Sequence, residues 1–264
     1  MITIFVLYFF IGFVASTLGA MAGLGGGVII KPVLDLFGHF DLPTIGVLSS
    51  ATVFAMSATS LIGLRHTEIE IEKTTSTLFA IGSIVGGFLG KIIFNFIVIN
   101  IGLTNVIGAF QSAFLAALLI VIVIFVKYQK LFTMYDVKSK SIIVLVAFFL
   151  GLISAFLGIG GGPLNVAILT WLFTMNAKEA SVNSIFIIFF SQLASLILVV
   201  VQTDLANYNF SMLGYMIVGG ILGGLVGSKL ITRHSNKTIQ RIFNSTILMI
   251  LGINLINLVK FLIL

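Results

Sequence analysis

Apolar positions run along this chain in long uncharged stretches, at residues 1–30, 42–64, 74–90, 92–126, 141–177, 180–203, 205–228 and 242–259. A helix that crosses a bilayer needs about 20 apolar residues, so most stretches fit one crossing each. The first and fifth do not, because each holds a glycine cluster followed by a further short apolar segment. Each of these predicts a helix, a glycine break and a shorter helix. The pattern gives eight full-length helices, at 2–22, 43–64, 74–94, 102–126, 142–158, 179–201, 210–231 and 240–262, and two short ones at 28–38 and 163–175.

Composition sharpens the picture. Of 264 residues, 59% are hydrophobic and only 8% are charged, with a mean hydropathy of +1.24. A water-facing surface takes about 25% charged residues, so the chain is expected to be a multi-pass protein of the cell membrane with the lipid bilayer as its solvent. Almost nothing is left for an extramembrane domain, which excludes most enzymes. There is no cysteine, and His39, His66 and His234 stand far apart. No metalloprotease helix, nucleophile triad or P-loop occurs. No catalytic residue, metal site or cofactor is therefore expected.

The net charge of +6 is a topology signal, and no nucleic-acid partner is inferred from it. Eleven of the fourteen Lys and Arg fall in alternate loops: Arg65 and Lys73; Lys127, Lys130, Lys138 and Lys140; Lys178; and Lys229, Arg233, Lys237 and Arg241. The loops around Asp41, Asn100 and Asp204 carry none, which assigns the basic side to the cytoplasm. Lys31, Lys91 and Lys260 make up the remainder. The first residues lack the basic region of a cleaved signal peptide, so the N-terminal segment is expected to be retained.

Traced through these loops, the helix near Leu42 runs outside to inside and the helix near Glu179 inside to outside. The halves are then upside down relative to each other, provided that each glycine-broken segment starts and ends on one side. It can do so as a short crossing pair or as a re-entrant hairpin. Self-comparison supports a duplication. Gly23-Leu24-Gly25-Gly26-Gly27 recurs as Gly158-Ile159-Gly160-Gly161-Gly162 at an offset of 135. Gly82, Gly86, Gly87 and Gly90 recur as Gly219, Gly223, Gly224 and Gly227 at 137, and Ser49-Ser50 corresponds to Asn183-Ser184 at 134. The expected fold is an all-α integral membrane protein, an inverted repeat of two halves with about four full transmembrane helices and one short glycine-broken helix each. Its first repeat covers residues 1–130, a cytoplasmic linker 131–141 and the second repeat 142–264.

The glycine clusters are candidates for chemistry. Consecutive glycines leave N–H groups without partners, which hydrocarbon tolerates only where the backbone lines a cavity or is buried in protein. Each cluster opens a short helix whose positive dipole end faces the break, and in an inverted repeat two such ends converge to bind an anion. Gly25, Gly26, Gly27, Gly160, Gly161 and Gly162 are accordingly candidate substrate-binding residues. The Gly82 and Gly219 series, spaced by four, suits close helix crossing instead.

Lys31, in the first turn of the first short helix, can attract substrate, pair with Asp35 four residues on, or snorkel to the interface. Ser49, Ser50, Asn183 and Ser184 place hydrogen-bonding groups on the helix after each short segment, and Asn165 stands on the first turn of the second. Gln111 and Gln192 have less positional support. Glu68, Glu70 and Glu72 read as a solvated edge, and Trp171 as an interfacial anchor.

The motif GxGGGxxxxPxL, here Gly23 to Gly27 with Pro32 and Leu34, together with a second GxGGG past the middle, resembles the TauE/SafE sulfite-exporter family of membrane permeases. The second copy departs from it, with Ala167 at the proline position and Pro163 directly after the glycines. The resemblance covers the whole chain and implies secondary transport of small sulfur-containing anions, such as sulfite, sulfonates or organosulfur acids. A passive anion channel and a non-transporting membrane scaffold are the alternatives. Coupling to protons or other ions stays open, with Asp35 the nearest titratable candidate. No feature of the sequence specifies an oligomeric state.

Overall fold

A computed structural model describes residues 2–65, 67, 69–101, 104–202 and 205–263. His66, Glu68 and Asp204 lie outside the described residues. The described residues form ten α-helices: α1 (Ile2–Ala22), α2 (Gly27–Phe37), α3 (Leu42–Leu64), α4 (Lys73–Ile101), α5 (Thr104–Lys127), α6 (Lys140–Leu157), α7 (Gly162–Phe173), α8 (Ala177–Gln202), α9 (Leu213–Arg233) and α10 (Asn236–Ile263). All except α2 and α7 are long and apolar enough to cross a membrane. The protein is an all-helical, multi-pass integral membrane protein, as the sequence pattern predicts.

Polar caps explain where several helices begin. Asn176 Oδ1 accepts the N–H groups of Lys178 and Glu179, and Glu179 Oε2 accepts the Asn176 N–H at 2.9 Å. That is a reciprocal cap, and it starts α8 two residues earlier than the apolar pattern suggests. Glu72 caps α4 in the same sense, its Oε2 accepting the Thr75 N–H at 2.9 Å, and Ser235 Oγ accepts the Thr238 N–H at the head of α10.

Each glycine-broken segment folds back so that its two ends lie together. The linker segment before α6 pairs with the end of α7, with the Tyr135 N–H bonded to Trp171 O and the Val137 N–H to Leu172 O, each at 3.0 Å. The start of α6 and the end of α7 are thus on one side. In the other half Tyr8, near the start of α1, meets His39, just past the end of α2, through Tyr8 Oη and His39 Nδ1 at 2.8 Å. Lys260 Nζ then donates to the Asp35 and Leu36 carbonyls at 2.9 Å. It satisfies terminal acceptors of α2 and complements the negative end of its dipole. That contact accounts for one basic residue placed away from the basic loops. Trp171 donates its Nε1–H to Thr133 O at 3.2 Å and packs on Phe125 and Tyr135, so it also secures the linker.

Two glycine seams join the halves. Cβ atoms built on Gly82, Gly86 and Gly90 of α4 would run into the carbonyls of Val144, Phe148 and Leu152 of α6. Those built on Gly219, Gly223 and Gly227 of α9 would meet the carbonyls of Phe9, Phe13 and Thr17 of α1. Glycine at every fourth position lets the backbones touch, and contact over whole helix lengths replaces the hydrophobic drive that lipid does not supply. The outer faces, among them Phe10, Val85, Val121, Phe149, Val218 and Ile256, remain apolar and exposed.

Candidate functional site

The two glycine breaks meet backbone to backbone. Gly23, Gly25 and Gly26 in one, and Gly158, Gly160 and Gly161 in the other, all hold positive φ between 22° and 80°, a conformation that glycine adopts without steric cost. A Cβ built on Gly162 would overlap the Leu24 carbonyl, and one built on Gly27 would lie 3.0 Å from the Ile159 carbonyl oxygen. Each contact is the other displaced by the repeat offset. Leu24 and Ile159, at the two crossings, are fully buried.

What surrounds each break differs. At the first, the Leu24 and Gly25 N–H groups bond to Gly19 O at 2.9 and 3.3 Å, and the Gly27 N–H bonds to Gly25 O. Ser184 Oγ donates to Gly23 O at 2.6 Å, and Ile188 Cδ1 lies 2.6 Å from a Cβ built on Gly25. That break is closed and its donors are largely used. At the second, the Ile159 N–H bonds to Ser154 O at 3.1 Å. The Gly160 and Gly161 N–H groups find no acceptor among the described residues, and both glycines border a cavity of about 70 Å³. At about 10–15 Å³ per water the cavity takes a few waters or one small ion. It is far below the 300–1,000 Å³ of a site for drug-sized ligands.

Five helices line this cavity with short polar groups. α3 contributes Gly46 and Ser50; α4 contributes Ser83, Gly87 and Lys91; α6 contributes Ser154; α7 contributes Asn165; α8 contributes Ser191 and Gln192. The α4 residues are spaced by four and so share one helix face. Ser154 Oγ is buried without a hydrogen-bond partner and lies 2.8 Å from a Cβ built on Gly161, while Gln192 Nε2 lies 3.1 Å from one built on Gly160. Lys91 Nζ stands across the cavity, 3.7 Å from a Cβ built on Gly46. Among the described residues it is the sole charged group in the lining. In a medium of low dielectric, unpaired donors and one ammonium favour a negative guest.

Of the candidates named from sequence, Ser50, Gly160, Gly161, Asn165 and the less supported Gln192 border the cavity. Gly27 and Gly162 form the packed crossing of the two breaks, Gly25 lies against Ile188 of α8, Gly26 against Ala15 and Ser16 of α1, and Ser49 lies against Gly27. Lys31 is buried, with Nζ 2.8 Å from Asp35 Oδ2. Its aliphatic stem covers the far face of Gly158, with Cδ and Cε 3.2 Å from a Cβ built there.

Ser184 ties α8 to the first break. Asn183, one residue earlier, points towards the α3–α4 loop. Its Oδ1 accepts the Glu72 N–H at 2.9 Å and the Ser76 hydroxyl, and its Nδ2 donates to Glu179 O at 2.8 Å. Gln111 donates to Phe156 O at 2.6 Å. Sequence reasoning passed over Lys91, Ser83 and Ser154. A signal for the first was present, since Lys91 is the one charge between residues 74 and 126 and an intramembrane charge points to function by default.

A family model described as Sulfite exporter TauE/SafE matches residues 8–255. The chain is 26% identical over 273 residues to the probable membrane transporter protein YunE of Bacillus subtilis (strain 168), an alignment that covers 96% of this chain and 97% of that protein. It is also 26% identical over 259 residues to a probable membrane transporter protein of Methanocaldococcus jannaschii, covering 94% and 93%. No solved structure matches.

Proposed function

The chain belongs to the TauE/SafE sulfite exporter family, and from that premise we propose that it is a secondary transporter that exports small sulfur-containing anions such as sulfite, sulfonates or organosulfur acids. A membrane transporter is what its relatives are named. The anion sits in the cavity at the second glycine break, held by the Gly160 and Gly161 N–H groups, Asn165, Gln192 and the Ser154 hydroxyl. The observation that carries this reading is the pair of unsatisfied backbone donors beside a cavity sized for one small ion. Oriented N–H groups at the head of a helix bind anions by hydrogen bonding and by the helix dipole together.

The protein works as an inverted repeat, with the basic loops in the cytoplasm. The exchanged contacts Gly162 to Leu24 and Gly27 to Ile159, and the exchanged seams of α4 on α6 and α9 on α1, support the two-fold relation. In this state the cavity at the second break is open, while Ile188 and Ser184 close the first. Gly160 and Gly161 border the cavity, and the crossing of the two breaks next to them is packed backbone to backbone, which favours a carrier over an open pore. Counterflow in proteoliposomes tests this. Internal unlabelled sulfite or methanesulfonate should accelerate uptake of the labelled anion, whereas flux with no counterflow for any anion would leave the channel reading.

A further inference from the structure

The geometry points to Lys91 as the counter-ion of the cargo, and to a site that selects anions of a single negative charge over dianions. The inference rests on the anion reading above and adds the residue and the charge state. Lys91 lies in α4 ten residues before its end at Ile101, about 15 Å along the helix axis. An uncompensated ammonium within an apolar helix is unfavourable, so its retention calls for a partner.

Among the described residues, the protein supplies no partner. The two ion pairs among the described residues are Lys31 with Asp35 and Lys138 with Asp136. No acidic residue lines the cavity, and Lys91 makes no hydrogen bond among the described residues. Its own helix face continues through Gly87 to Ser83, and Ser50, Ser154 and Gln192 face it from α3, α6 and α8. One ammonium thus meets a ring of neutral donors, one of them the buried, unpartnered Ser154 hydroxyl. A monoanion is neutralised one to one in this cavity. A dianion leaves one charge without a counter-ion in a low-dielectric surround, where burial of an unpaired charge is strongly unfavourable.

Binding to the purified full-length protein, followed by thermal shift and calorimetry, tests the assignment. The probes are methanesulfonate as monoanion, sulfate as dianion and dimethyl sulfone as neutral analogue. Methanesulfonate should bind about tenfold or more tighter than sulfate, with dimethyl sulfone weaker still. K91Q should lose about tenfold or more in methanesulfonate affinity, and K91R should retain most of it. Because Lys91 has no internal partner, ligand-free K91Q should unfold at the wild-type temperature or above, which a structural lysine would not allow.

Equal methanesulfonate affinity in K91Q, equal affinity of wild type for sulfate, or a K91Q protein that fails to fold would each overturn the inference while the anion site stands. Failure of the wild type to bind or exchange any anion would instead overturn the anion reading, and this assignment with it.

Discussion

Gly162 rests on the carbonyl of Leu24 so closely that a methyl group on its Cα would overlap that carbonyl. This contact joins the head of α7 to the opposite glycine break, one residue from Gly161 in the cavity lining. Gly162→Ala should therefore destabilise the protein by about 1–3 kcal/mol or more, as backbone must move to admit the methyl group. Gly252→Ala in α10 meets open space and should be neutral or stabilising by up to about 1 kcal/mol. Unfolding midpoints of the two purified variants check this, and equal losses would refute the distinction.

Lys31 and Asp35 form a buried pair at 2.8 Å, with Asp35 Oδ1 left without a partner. Lys31→Gln should cost about 3–5 kcal/mol because it strands a buried carboxylate. Adding Asp35→Asn should restore most of the protein level and the transport rate per molecule. Fluorescence-detected chromatography and counterflow on the single and double variants read both quantities. A double variant that folds but does not transport would return Lys31 or Asp35 to the transport machinery.

Asn183 secures the α3–α4 loop through the Glu72 N–H and the Ser76 hydroxyl. Asn183→Ala leaves these groups short of an acceptor, at a cost of about 1–3 kcal/mol. Trypsin added to inside-out vesicles should then cut at Arg65 or Lys73 faster than in wild type, while the transport rate of intact molecules holds. Unchanged cleavage together with abolished anion binding would instead make Asn183 a substrate ligand.

The orientation is open to labelling because the chain contains no cysteine. Ser139→Cys, at the head of α6, should react with an impermeant thiol reagent only in inverted vesicles. Ser211→Cys, on the exposed approach to α9, should react in intact cells. The reverse pattern would turn the protein over in the membrane.

The sequence by itself determined the helices, since a continuous apolar run can only be satisfied in lipid as a helix that bonds its own backbone. It also determined the two breaks and the two seams, because glycine clusters and a four-residue glycine spacing have few other uses there. Tertiary structure decided which side chains share a cavity, and the reason is rotational. The seam between α4 and α6 sets the rotation of α4 about its axis and so aims Lys91 inward, while Lys31 finds Asp35 on its own helix. On α8, Asn183 and Ser184 are neighbours about 100° apart around the axis, and one secures a loop while the other closes the first glycine break. The return of each glycine-broken segment to the side it starts from was likewise decided by contacts distant in sequence, Tyr135 with Trp171 and Tyr8 with His39. Periodicity within a single segment carries no information about these.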